Sequence, residues 1–159
     1  MNFPTCDRLI LNSNSWAEFT SQVDRLPNMT DRGDVFERLV QLHMQTDPIY
    51  LAQYKEVWHA DQSKGELPAS VRRHLNLPAG DEGIDLIALA RNGEYTSIQA
   101  KYRSDPKETF VWDELSTFTS LSFNICKNIL WGIVRTTTTK PIKKKALIAE
   151  PIRFEFLDQ

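Results

Sequence analysis

Cysteine is scarce in this chain of 159 residues: Cys6 and Cys126 are its two, far apart and in no metal-ligand spacing. That usage predicts free thiols in a reducing, cytoplasmic compartment. The three histidines, His43, His59 and His74, form no close pair, which argues against a structural zinc site. No glycine-rich phosphate loop appears, so the chain alone should not bind ATP. No apolar run is long enough to span a membrane, and the N-terminus does not read as a signal peptide, so no membrane partner is expected. No internal repeat is visible. Neither sign of charge dominates: the formal net charge is −2, and global charge therefore does not announce a nucleic-acid binder.

What is present is enough apolar sequence for one domain with a real core, 41% of the residues. Ser15-x-x-Glu18 is a capping box ahead of Trp16, Phe19, Val23 and Leu26, an amphipathic helix. Pro27 to Thr30 reads as a break. Asp31 and Asp34 signal the start of a second helix, whose apolar stripe is Phe36, Leu39, Val40 and His43 and whose end is Asp47-Pro48. Tyr54 to His59 reads as a strand. A short helix follows from Pro68 to Leu75. Trp112, Leu115, Phe118 and Leu121 mark another helix, Ile129 to Val134 a strand, Thr136 to Lys140 a polar loop, and Ala146 to Ala149 a last strand. Trp58, Trp112 and Trp131 sit in apolar elements and are expected in the core. The Thr136–Thr139 run offers hydroxyls to phosphates, or else is a plain loop entry.

The chemistry concentrates between these elements. Gly83-Ile84-Asp85-Leu86-Ile87-Ala88 and Thr96-Ser97-Ile98-Gln99-Ala100-Lys101-Tyr102 read as two apolar strands joined at Asn92-Gly93. Gln99 and Lys101, two residues apart, share a sheet face. Whether Asp85 joins them depends on the turn. A two-residue turn at Asn92-Gly93 would place Asp85 on the opposite face. A three-residue loop, Arg91-Asn92-Gly93, with glycine at a left-handed position, sets Ala90 against Glu94 and Asp85 against Gln99. We expect the second arrangement. Both strands are apolar on both faces and look central, and polar groups inside such strands need partners or a function. A carboxylate, an amide oxygen and an ammonium on one face suit a divalent cation with a lysine beside it, a site able to hydrolyse phosphodiesters.

Asp85-x13-Gln99-x-Lys101 resembles the PD-(D/E)xK nuclease signature in its Gln-x-Lys variant. Gly83-Ile84-Asp85 with Gln99-Ala100-Lys101-Tyr102 is similar to the Mrr-like restriction endonucleases, especially the N-terminal nuclease domains of helicase-containing restriction enzymes such as the type ISP group. The resemblance spans roughly Asp31 to Thr138. Two residues depart from the signature: Ile84 stands at the family's proline, and Gln99 replaces a second carboxylate, which removes one negative charge from the metal.

The resemblance implies an α/β fold with a restriction-endonuclease-like αβββαβ core, a central mixed sheet flanked by helices. It implies one domain over 1–159: a helical extension at 1–30, a nuclease core at 31–138 and a strand or linker at 139–159, standing alone or as the N-terminal part of a larger enzyme. It also implies catalytic roles for Asp85, Gln99, Lys101 and Glu37, the last on the helix before the first strand. Mg²⁺, with Mn²⁺ as the alternative, would be held by Asp85, Gln99, the Ala100 carbonyl and Glu37. Lys101 would orient the attacking water and offset charge on the phosphate.

The implied substrate is double-stranded DNA, the implied activity a metal-dependent endonuclease of a restriction system. The implied partners are helicase and methyltransferase domains of a parent enzyme, with dimerisation for double-strand cleavage. Local basic residues, Tyr102 with Arg103, Lys107, Lys143 and Lys144, are candidates for nucleic-acid contact. Two other readings stand beside this one: a non-catalytic nucleic-acid-binding module with a degenerate nuclease fold, and a protein-interaction or regulatory domain.

Overall fold

The computed structural model of the chain describes residues 1–80, 83–139 and 151–156. Its strands are β1 (Tyr54–His59), β2 (Leu86–Ala90), β3 (Tyr95–Lys101), β4 (Ile129–Thr136) and β5 (Ile152–Phe156). They form one sheet in sequence order. β1–β2 and β2–β3 pair antiparallel, whereas β3–β4 and β4–β5 pair parallel. The sheet is therefore mixed, and the parallel step from β3 to β4 demands a crossover. Helix α6 (Trp112–Ser120), extended by one wide turn over Leu121–Ile125, supplies it.

Helices cover both faces. On one lie α1 (Phe3–Leu11), α2 (Trp16–Asp24), α3 (Met29–Thr46) and α4 (Pro48–Gln53); on the other lie α5 (Ala69–Leu75) and α6. Phe36, Val40 and Met44 of α3 pack on Leu86, Ala88, Ile98, Ala100 and Ile133 of the sheet. Leu75, Leu115 and Phe118 pack on Ile87 and Val134 of the opposite face. Alternation along β2 and β3 thus feeds two cores at once, as expected for central strands. Truncating the fully buried Phe36 to alanine should cost about 3–5 kcal/mol.

The core order α3, β1, β2, β3, α6, β4 is the αβββαβ order expected from the sequence. Several local expectations need correction. Helix α3 begins at Met29, not at Asp31, because Asn28 is its cap: the Asn28 side chain accepts from the Asp31 N–H at 2.7 Å. Asp47 does not simply end α3; it caps α4 by accepting from Ile49 N–H at 2.9 Å, with Pro48 in the first turn. Helix α1, capped by Asn2, is an element the sequence reading lacked. Trp131 is 43% exposed and is not core, since it lines a surface cavity; Trp58 and Trp112 are half-buried.

Thr136 belongs to β4, and Thr136, Thr137 and Thr138 are buried rather than forming a polar loop. The Thr137 hydroxyl bonds both the N–H and the carbonyl of Arg103, so it braces the segment after β3. The strand expected at Ala146–Ala149 lies outside the described residues. β5 instead occupies Ile152–Phe156.

Candidate active site

Register decides the site. Leu86 pairs with Ile98 and Leu89 with Tyr95, which sets Ala90 opposite Glu94 and leaves Arg91-Asn92-Gly93 as a three-residue loop. Gly93 has φ +91° and donates its N–H to the Ala90 carbonyl, the left-handed closure that a side chain would strain. Continuing this register places Asp85, one residue before β2, against Gln99 of β3.

Asp85 is held on three sides. Its N–H donates to Ile98 O at 3.0 Å and its carbonyl accepts from Ala60 N–H at 2.9 Å. Its Oδ2 accepts from the Ala100 N–H at 2.6 Å. The carboxylate is thus fixed against the β3 main chain at the residue before Lys101.

Gln99 is 3% exposed. Its Nε2 donates to the Gly83 carbonyl at 3.2 Å. Gly83 adopts φ +106°, and a Cβ there would meet Thr117 at 3.4 Å and Gln99 Nε2 at 3.8 Å, so glycine suits both the backbone and the space. With Nε2 committed, Gln99 Oε1 is buried and finds no hydrogen-bond partner. A buried, unsatisfied carbonyl oxygen is costly and calls for a ligand. A hard divalent cation is such a ligand, and Asp85 beside it supplies the charge. The donor set therefore fits Mg²⁺ or Mn²⁺. Among the described residues no group of three or more His, Cys, Asp or Glu side chains is arranged as a metal site, so amide and backbone oxygens would have to complete the shell.

Asp85, Gln99, Ala100, Lys101 and Glu37 all line one cavity of about 330 Å³. Tyr102 and Arg103 line it too, but their polar groups serve the fold. The Tyr102 hydroxyl donates to Asp24 at 2.9 Å. Arg103 pairs with Glu114 and with Glu108, and lies over the Phe110 ring. Both are thus braces of the cavity wall more than open donors. Lys107 is exposed in the loop after β3, and Lys143 and Lys144 lie outside the described residues.

Three lining residues were not singled out from the sequence: Met29, Arg32 and Gly33. Met29, Gly33 and Glu37 recur every fourth residue, so one face of α3 meets the cavity; that spacing was a readable signal. Arg32 is held by the main chain, donating to Leu26 O and Asp24 O at 2.9 Å each.

A mixed sheet in this strand order, with helices on both faces, defines a restriction-endonuclease-like α/β fold. The Mrr_cat_2 family model, a restriction endonuclease family, matches residues 45–150, and the chain belongs to that family. The match covers Asp85, Gln99 and Lys101 and begins within α3, beyond Glu37. No curated protein matches the chain. Among solved structures, the ATP-dependent Type ISP restriction-modification enzyme LlaBIII bound to DNA is similar in fold, with TM-score 0.60 and 24% identity over 85% of this chain. The chain spans 8% of that enzyme's length.

Proposed function

We propose that this restriction endonuclease domain is a Mg²⁺-dependent endodeoxyribonuclease whose site is the cavity around Asp85, Gln99 and Lys101. The observation that carries the reading is the Gln99 Oε1, buried without a partner in the same cavity as a fixed carboxylate and a lysine. Asp85, Gln99 Oε1 and the Ala100 carbonyl would hold the cation, with Glu37 acting through water. When bound, a divalent cation polarises a phosphodiester oxygen and makes water a better nucleophile at neutral pH. Lys101 Nζ orients the attacking water and offsets negative charge as it develops on the phosphate. Asp85 Oδ2, tied to the Ala100 N–H, keeps the acidic and basic groups in register. Double-stranded DNA is the substrate this chemistry serves. The fold likeness to a much longer ATP-dependent enzyme supports a role as one domain of a translocating machine.

Supercoiled plasmid cleavage in Mg²⁺ tests the reading, on the chain and on any longer polypeptide that carries it. Lys101→Ala should retain fold and DNA binding but lose cleavage about a hundredfold to a thousandfold, the usual effect of removing one transition-state stabiliser. Asp85→Ala should be at least as severe and Glu37→Ala milder. Cleavage by Lys101→Ala at the wild-type rate would overturn the mechanism.

A further inference from the structure

A second cavity, of about 440 Å³, lies at the other end of the sheet. It is walled by Tyr54, Ala90, Arg91, Asn92, Glu94, Thr96, Trp131 and Arg153, with Ala52 and Gln53 of α4. Thr96 and Lys101 are five residues apart on β3, so the two cavities are separated by roughly 17 Å of strand. Nothing in the cleavage mechanism uses this one.

Its chemistry is specific. The Trp131 ring is exposed, while its Nε1 donates to Glu94 Oε2 at 3.3 Å. The edge of the indole is therefore held, and the ring stays 43% exposed. The Arg153 guanidinium stands over the ring, 5.9 Å from its centroid. Arg91 is anchored through Nε to Leu51 O at 2.8 Å, which leaves its terminal nitrogens without a partner among the described residues. Asn92 spends its Oδ1 on the Glu94 N–H at 3.0 Å, which leaves its amide hydrogens as donors. Tyr54 is 3% exposed and lies beside the Thr96 side chain in the cavity wall.

The cavity thus brings two guanidinium groups and an amide donor to one side of an exposed indole, and one oxygen of its lining carboxylate, Glu94, is engaged by that indole. Cationic donors beside an exposed aromatic ring suit an anion joined to a flat ring. We propose that this cavity binds a nucleotide unit, its base stacked on Trp131 and its phosphate between Arg91 and Arg153. The unit could be a free nucleotide or one residue of a single strand; the chemistry is shared. The proposal does not depend on cleavage at Asp85.

The test uses the whole chain in EDTA, so that cleavage plays no part. Deoxyadenosine monophosphate and a fluorescein-labelled ten-nucleotide oligodeoxyadenylate are titrated separately, read by tryptophan quenching and by anisotropy. Saturable quenching is expected. Trp131→Ala should abolish the quench and weaken binding about tenfold or more. Arg91→Gln and Arg153→Gln should each weaken binding several-fold, because each removes a cationic partner of the phosphate. Lys101→Ala should bind like wild type. Tighter binding of the oligomer points to a strand, and equal or tighter binding of the monophosphate points to a free nucleotide. No binding of either at millimolar concentration overturns the proposal, as does binding unaltered by Trp131→Ala, Arg91→Gln and Arg153→Gln.

Discussion

Tyr102 and Asp24 meet at the wall of the candidate site: the phenol of the residue after Lys101 donates at 2.9 Å to the carboxylate of the last residue of α2. Ser104 donates to the same Asp24 oxygen at 2.6 Å. Burial, and then the bond to Asp24, push the Tyr102 pKa well above the usual phenol value, so the hydroxyl stays a donor at any working pH. The N-terminal helices are thus fastened to the strand end that presents the lysine. Tyr102→Phe should cost about 1–2 kcal/mol of stability, through the lost bond and the Asp24 carboxylate left short of a donor. Cleavage should fall through kcat, with KM for DNA little changed. Urea denaturation and steady-state cleavage check both numbers; a change confined to KM would mean that Tyr102 serves DNA contact instead.

Metal binding offers a second check. Calorimetric titration with Mn²⁺ should show weak binding that vanishes in Asp85→Ala, since oxygen ligands and one strong carboxylate hold a hard cation loosely. Gln99→Glu restores the second charge. It should raise Mn²⁺ affinity and enlarge the metal-induced rise in melting temperature, while lowering stability without metal, because a carboxylate would then face the Gly83 carbonyl. A metal response identical to wild type would place the cation away from Gln99 Oε1.

Acid sensitivity should trace to His59. The imidazole is 2% exposed, and burial pushes its pKa down to about 4, against the opposing pull of Glu66. The fold therefore holds the neutral ring. Its contribution is complete above the unfolded pKa near 6.5 and is lost as pH falls from there toward about 4, up to about 3 kcal/mol. Asp7, held below the usual carboxylate range by Arg38, keeps its own contribution until lower pH. Stability between pH 6.5 and 4 should thus fall less steeply in His59→Gln than in wild type. Parallel curves would remove His59 from the account.

Arg135 is a buried cation, 2% exposed, that pairs with Glu155 of β5 at 2.6 Å and meets Tyr50 and His43. It ties the edge strand to α3 and α4. Arg135→Ala should destabilise the domain by about 3–5 kcal/mol, because Glu155 is left without its cation. Arg135→Ala with Glu155→Gln should recover part of the loss. A double variant no more stable than the single one would argue that packing, not charge, makes the contribution.

Local features of the chain were legible where one residue type forces one geometry. Gly93 admitted a two- or a three-residue loop, and the need to bring Asp85 to Gln99 favoured the longer one, which the register bears out; Tyr54–His59 read as β1 with its correct bounds, and the element order of the core followed. Contacts between distant segments were not legible. Asp24 and Tyr102 are 78 positions apart, and no periodicity marks such a pair. Arg135 was hidden for a different reason: a charge in a strand reads as a solvated end, and its burial depends on Glu155, Tyr50 and His43 arriving from three other elements. Trp131 shows the converse, since an aromatic in an apolar strand reads as core, whereas here it lines a surface cavity. β5 carried a signal in the alternation of Ile152, Phe154 and Phe156 that was passed over for Ala146–Ala149.

The loop of Arg91, Asn92 and Gly93 makes length, more than identity, the quantity on which this nuclease depends. Substitutions at Arg91 or Asn92 would alter hydrogen bonds of modest worth. Loss of one residue would turn β3 over by half a rotation relative to β2, sending Gln99 and Lys101 to the layer that Ile98 and Ala100 now fill, and those apolar side chains to the cavity. Such a deletion would exchange the layers of the core and of the candidate site. The chemistry of the chain is gated by a count of three.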